Sequence, residues 1–194
     1  MRRATREAGV SRGSGRSGRK ANRWSSHEDE RYRLAVPVLF LPCGLQGSGK
    51  TTLARRLEQE HAALRLTADE WLRQLHPELS EPELDLRRES VEHLQWATAM
   101  RVLQLGCNVV LDWGLWAREE RDRYRSEAQA IGARVVLCLL EPSRQELLDR
   151  LERRNTLPPP GVFRITREEH DQAWDFFQRE RPTRAELDLF DPVP

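Results

Sequence analysis

Gly44-Leu45-Gln46-Gly47-Ser48-Gly49-Lys50-Thr51-Thr52 decides how the rest of the chain is read. Its spacing is G-x-x-x-x-G-K-T. Val36-Pro37-Val38-Leu39-Phe40-Leu41 precedes it and reads as a buried strand; Leu53-Ala54-Arg55-Arg56-Leu57-Glu58 follows it and reads as a helix. That strand, glycine loop and helix context separates a phosphate-binding loop from a chance glycine-rich turn. Gly44, Gly47 and Gly49 let the backbone turn tightly and bring its N–H groups to phosphate oxygens. The helix that follows adds the positive end of its dipole. Lys50 is placed to reach the β- and γ-phosphates of a nucleotide, and the Thr51 hydroxyl to ligate Mg²⁺.

Outward from the loop, strand-like and helix-like stretches alternate. Strands are expected at 36–41, 64–67, 107–112 and 134–140. Helices are expected at 50–61, from Thr67, from Ser80 to Gly106, at 117–131, at 143–154 and at 166–177, with a short element at 185–187. Ser80 and Ser143 each stand three residues before a Glu, which is capping-box spacing, and Thr166-Arg167-Glu168-Glu169 starts the last clear helix. The alternation implies an α/β fold: a three-layer α/β/α sandwich around a mainly parallel sheet of four to five strands, with ligands at the carboxyl ends of the strands. A Pro158-Pro159-Pro160-Gly161 break ends a helical lid expected at about 143–163.

The net charge of +1 hides an asymmetry. Residues 1–33 carry ten Arg/Lys against four Asp/Glu, and the remainder 22 against 27. Residues 1–35 are rich in Arg, Gly and Ser, too poor in aliphatics to fold, and are expected to be a disordered basic tail on a domain spanning 36–194. The tail reads as a solvated arm or, alternatively, as an electrostatic arm for nucleic acid. It lacks the apolar core of a secretory signal, and no stretch approaches a membrane span. Cys43, Cys107 and Cys138 lie in or beside apolar runs without C-x-x-C spacing, as reduced core cysteines of a cytoplasmic protein would.

Two aspartates fall at strand ends beside the loop. Asp69 is positioned to orient an attacking hydroxyl near a γ-phosphate; the competing reading is first-turn capping, since Thr67 and Glu70 also have capping-box spacing. Asp112 ends an apolar strand, in the pattern of an aspartate that holds Mg²⁺; the competing reading is an N-cap. Arg150 and Arg154, four apart, share a helical face with which a lid could clamp a transferred phosphate, or alternatively face solvent alongside Arg153. The arginines between 118 and 125 read mostly as an exposed helix. Trp71, Trp113 and Trp116 flank the expected cleft and read as packing before base stacking.

With these residues assembled, the chain resembles a family of small P-loop kinases. The family groups phage-type polynucleotide kinase, chloramphenicol phosphotransferase, zeta toxin and bacterial "AAA domain" ATP-binding proteins. The resemblance rests on the glycine loop, on Thr67-Ala68-Asp69-Glu70, on Val110-Leu111-Asp112-Trp113-Gly114, on Arg118-Glu119-Glu120-Arg121, on Arg150-Leu151-Glu152-Arg153-Arg154-Asn155 and on Ile165-Thr166-Arg167-Glu168-Glu169. It implies that Asp69 is the general base and that Arg150 and Arg154 clamp the phosphate. Family members usually add a fifth strand after the lid; here that segment is polar and helical. No sensor or arginine-finger arrangement of a ring ATPase is present.

The sequence therefore implies an ATP- and Mg²⁺-dependent P-loop kinase. Residues 44–52 hold the nucleotide, Thr51 and Asp112 the metal, and Lys50, Asp69, Arg150 and Arg154 serve the chemistry. The acceptor is a hydroxyl of a small molecule or, less favoured, of a nucleic-acid end, and no membrane partner is expected. The rival is an ATP-binding switch protein with little transfer, acting through a partner.

Overall fold

A computed structural model describes residues 36–156 and 164–194. The basic tail and the proline-rich break lie outside the described residues. β1 (Val38–Cys43) is buried along its whole length and leads into the glycine loop and α1 (Lys50–Glu60). The order continues β2 (Leu64–Leu66), α2 (Ala68–Leu75), α3 (Glu81–Asp85), α4 (Arg88–Gln104), β3 (Val109–Leu111), α5 (Arg118–Ala130), β4 (Arg134–Leu139), α6 (Arg144–Thr156), α7 (Arg167–Glu180) and α8 (Arg184–Leu187).

The four strands form one parallel sheet in the order β2-β3-β1-β4. Parallel neighbours need crossovers, and helices supply them. The pleat of β1 divides the core. Leu39 and Leu41 join Val109, Leu111, Trp96, Leu103 and Tyr124 on one face; Val38 and Phe40 join Val110, Val136, Ala54 and Leu57 on the other. Apolar residues on both faces are what a strand covered by helices on both sides requires. The sandwich expected from the alternation is thus present.

Several details depart from the sequence reading. The helix expected from Ser80 to Gly106 is two, α3 and α4, separated at Leu86–Arg87, where Arg87 N–H returns to Leu84 O at 3.0 Å. The third strand covers three residues, and Asp112 stands just past its end. Among the described residues there is no fifth strand. Instead α7 packs Ala173 and Phe177 onto Cys43, Leu45 and Leu147. Cys43 is buried and Cys138 half-buried, but Cys107 is exposed, because its strand-like run begins to pair only at Val109. All three are free thiols. Among the described residues no helix is long and apolar enough to cross a membrane.

The capping boxes at Ser143 and Thr166 form: Glu146 N–H donates to Ser143 Oγ at 3.3 Å and Glu169 N–H to Thr166 Oγ1 at 3.2 Å. At Ser80 the Glu83 carboxylate accepts from the backbone N–H at 2.9 Å. These caps fix where α3, α6 and α7 begin.

Candidate functional site

Gly44 turns the chain out of β1 with φ +153°, and a Cβ there would lie 2.6 Å from Leu140 O and 2.8 Å from Ser48 Oγ. No side chain fits. Gly49, at φ +101°, caps α1 without any side-chain cap and has nothing within 4 Å of where a Cβ would be. The first turn of α1 has no acidic residue. The first N–H groups of a helix have no intrahelical partner, and here no acidic side chain opposes the positive dipole end, which suits a phosphate. Ser48 Oγ and Gln46 Oε1 are buried in the same loop without hydrogen-bond partners.

Lys50 folds back over the loop, and its Nζ donates to Gly44 O and Leu45 O, each at 2.8 Å. Burial lowers its pKa from 10.5 to about 8, against the raising influence of Asp112. Gly44 O also accepts from the Trp116 indole N–H at 2.9 Å. Thr51 Oγ1 donates to Asp112 Oδ1 at 3.2 Å. Asp112 is buried, which raises its pKa, while Arg65 and Thr51 act to lower it. Two hard oxygen donors side by side at a phosphate loop fit Mg²⁺, which uses one or two protein oxygens and completes its shell with waters and substrate phosphates. Among the described residues no group of three His, Cys, Asp or Glu side chains is gathered for a fully protein-bound metal.

Asp69 lies in the first turn of α2. Thr67 makes no side-chain cap there, and Glu70 turns to Arg65 at 2.8 Å. The capping-box alternative for this turn is absent. Asp69 instead pairs with Arg88 of α4 at 2.8 Å and acts electrostatically on both Lys50 and Arg154.

Helix α6 approaches from the other side. Leu147 and Leu151 are buried beneath Gly47, whose absent Cβ would stand 3.4 Å from Leu151 Cγ. This seats Arg150 over the loop, where Nη1 donates to Gly47 O at 3.3 Å and Ser48 O at 3.4 Å. Arg154, one turn on, is half-buried; burial pulls its pKa down and Asp69 pulls it up. Asn155 holds Ile165 by both backbone groups: Nδ2 donates to Ile165 O at 2.5 Å, and Ile165 N–H to Asn155 Oδ1 at 3.4 Å. This ties the end of α6 to the start of α7.

A groove of about 230 Å³ adjoins the loop between the end of β4 and α7. Leu45, Leu140, Leu147, Trp174 and Phe177 wall it, with Arg181 at its edge paired to Glu141.

The structure brings Lys50, Thr51, Asp112 and Arg150 into contact around the loop. The sequence does not single out Arg65 or Arg88, and it offers Trp116 for packing or stacking, not as a donor to the loop. Arg65 carried a readable signal, a charge inside an apolar strand with acids before and after it. Arg88 and the Trp116 donor carried none. Trp113 belongs to the core and donates to Gln95 Oε1 at 2.9 Å. Arg121, expected on an exposed helix, is fully buried. It donates to Glu186 at 2.6 Å and to the carbonyls of Leu115, Trp116 and Glu180 at 3.1, 2.5 and 2.6 Å. It fastens the loop carrying Trp116 to α8.

Comparisons with known proteins agree with this architecture. A family model described as "AAA domain" matches residues 39–179. The crystal structure of a protein from Chloroflexus aurantiacus, described as a candidate kinase, is similar at 16% identity and TM-score 0.59, over 72% of this chain and 76% of that one. A chain of the Pnkp1/Rnl/Hen1 RNA repair complex is similar at 21% identity and TM-score 0.61, over 82% of this chain and 49% of that one, so the match spans about half of it. Kti12 of Chaetomium thermophilum, in complex with ADP-AlF3, is similar at 18% identity and TM-score 0.58, over 80% of this chain and 86% of that one. At these identities the shared property is the fold. No curated protein sequence matches the chain.

Proposed function

The chain belongs to the family described as AAA domain, and from that premise we propose that it is an ATP- and Mg²⁺-dependent phosphotransferase that moves a γ-phosphate to a hydroxyl group. One observation carries the reading. A glycine loop leading into an uncapped helix start is ringed by a lysine, a Thr–Asp oxygen pair and a lid arginine, within the electrostatic reach of a carboxylate on α2. Positioning and charge stabilisation of this kind are most of what phosphoryl transfer asks of a protein.

The roles follow from the chemistry of each group. The backbone of 44–52 cradles the phosphates, with Ser48 Oγ as a further donor. Lys50 exchanges its two carbonyl acceptors for phosphate oxygens, which are stronger partners for a cation. Thr51 and Asp112 hold Mg²⁺, which when bound neutralises phosphate charge. Asp69 accepts a hydrogen bond from the acceptor hydroxyl and takes up its proton as the new bond forms. Arg150 and Arg154 turn from the loop to the charge that spreads over the transferred group. The apolar groove beside Leu45, between the end of β4 and α7, accommodates the base. Residues 36–194 act as one kinase-like domain whose lid starts with α6.

The acceptor side lies at α2, α3 and α4, around Asp69. Incubation of the protein and of Asp69→Asn with γ-labelled ATP and Mg²⁺ tests the reading, using a metabolite extract and 5′-hydroxyl oligonucleotides as acceptor pools. Label transferred only by the unsubstituted protein supports a kinase and identifies the acceptor class. ATP binding without label in either pool would replace it with an ATP-binding switch.

A further inference from the structure

Arg65 stands in the middle of β2, opposite Val110 of β3, with its side chain only 11% exposed. Three carboxylates from three elements share its guanidinium. Nε lies 3.3 Å from Glu58 Oε2 on α1, Nη2 2.8 Å from Glu70 Oε1 on α2, and Nη1 3.2 Å from Asp112 Oδ2 beyond β3. Asp112 Oδ1 is taken by the Thr51 hydroxyl at 3.2 Å. Both oxygens of a carboxylate whose side chain is 3% exposed are therefore engaged, one by a neutral donor and one by a full positive charge.

A carboxylate so buried requires a countercharge. Arg65 provides it. A divalent cation held by the same carboxylate carries charge of the same sign, so guanidinium and metal compete for it. The guanidinium can yield without being stranded, because its shortest contact is to Glu70 and Glu58 also remains. Lys50 adds to the countercharge only from a distance, since its ammonium bonds Gly44 O and Leu45 O and not the carboxylate.

We propose that Arg65 is a built-in counter-cation of Asp112 that the divalent ion must displace, and that it thereby sets the metal requirement for nucleotide binding. The inference rests on the assignment of Asp112 to the metal made above. Arg65 is a positioning residue: it acts through Asp112. A plain strut joining α1, α2 and β3 would affect stability and leave the metal requirement alone.

The test is binding of a fluorescent ADP analogue to the full chain at fixed sub-saturating nucleotide, titrated with Mg²⁺. In Arg65→Gln the Mg²⁺ midpoint falls on the order of fivefold to tenfold, the scale of one partly screened charge contact. In Arg65→Lys it stays near that of the unsubstituted protein. In Glu70→Gln it rises, because Arg65 loses its shortest carboxylate and its charge falls more fully on Asp112. Glu70 is 42% exposed and the substitution keeps its shape, so this variant decides the matter even if Arg65→Gln fails to fold. A midpoint that is unmoved or raised in Arg65→Gln, or unmoved in Glu70→Gln, overturns the inference while leaving the proposed function intact. Nucleotide binding by the unsubstituted protein with no Mg²⁺ dependence would instead remove Asp112 from the metal, and both readings would fall.

Discussion

Asp69 Oδ1 lies 2.8 Å from Nη2 of Arg88, so the carboxylate at the start of α2 is gripped by a cation from α4. The grip fixes one oxygen, and in the proposed reaction the other accepts from the incoming hydroxyl. Asp69→Asn keeps the shape but cannot take up a proton. It is expected to bind nucleotide as the unsubstituted protein does and to transfer phosphate at least about 100-fold more slowly, the scale of a lost general base. A nucleotide titration beside a labelled-transfer assay measures both, and equal transfer rates would remove Asp69 from the chemistry.

Lys50 makes nucleotide affinity depend on pH. Burial in the loop lowers its pKa to about 8, and a phosphate bound beside it raises it. Binding therefore takes up a proton above that pH, so affinity falls as pH rises from about 8 towards the ordinary lysine value of 10.5. The slope approaches about tenfold per pH unit. Lys50→Arg, which stays charged, flattens the profile. Titrations with ADP across this window check the sign, and a flat profile for the lysine protein would exclude the assignment.

Arg150 rests on loop carbonyls and Arg154 lies one turn along the same face. Arg150→Ala is expected to slow transfer by about 10²- to 10³-fold while nucleotide affinity changes little, because its partner charge develops mainly in the transition state. Pre-steady-state transfer rates set against ground-state affinity separate the two effects. A loss confined to affinity would make it a binding residue instead.

Arg121 and Glu186 form an ion pair with side chains 0% and 1% exposed. Arg121→Met strands a buried carboxylate and is expected to cost about 3–5 kcal/mol in urea unfolding. The double variant Arg121→Met/Glu186→Leu removes both charges and is expected to recover much of that loss. A single variant that unfolds like the parent would show the pair to be energetically idle.

Much of this was legible in the sequence because local signals and the fold agree. The apolar run at 38–41, the glycine loop and the amphipathic start of α1 each demand the next, so the sheet and its ligand edge followed directly. The Ser143 cap located the start of α6 for the same local reason. What escaped depends on distant partners. Arg121 sits in a string of alternating charges, and nothing in that string reveals that Glu186, 65 residues away, would bury it. Arg88 meets Asp69 only because the chain breaks between α3 and α4, and that break carries neither Gly nor Pro. Trp116 was read as packing or stacking, whereas its N–H serves the backbone of the loop.

The small apolar cluster of Ala68, Leu72, Leu84 and Val91 meets the larger sheet cluster through Trp71, which packs against both. α2, the helix that carries Asp69, is thereby seated on the sheet through one indole, so truncating Trp71 would loosen both clusters at once.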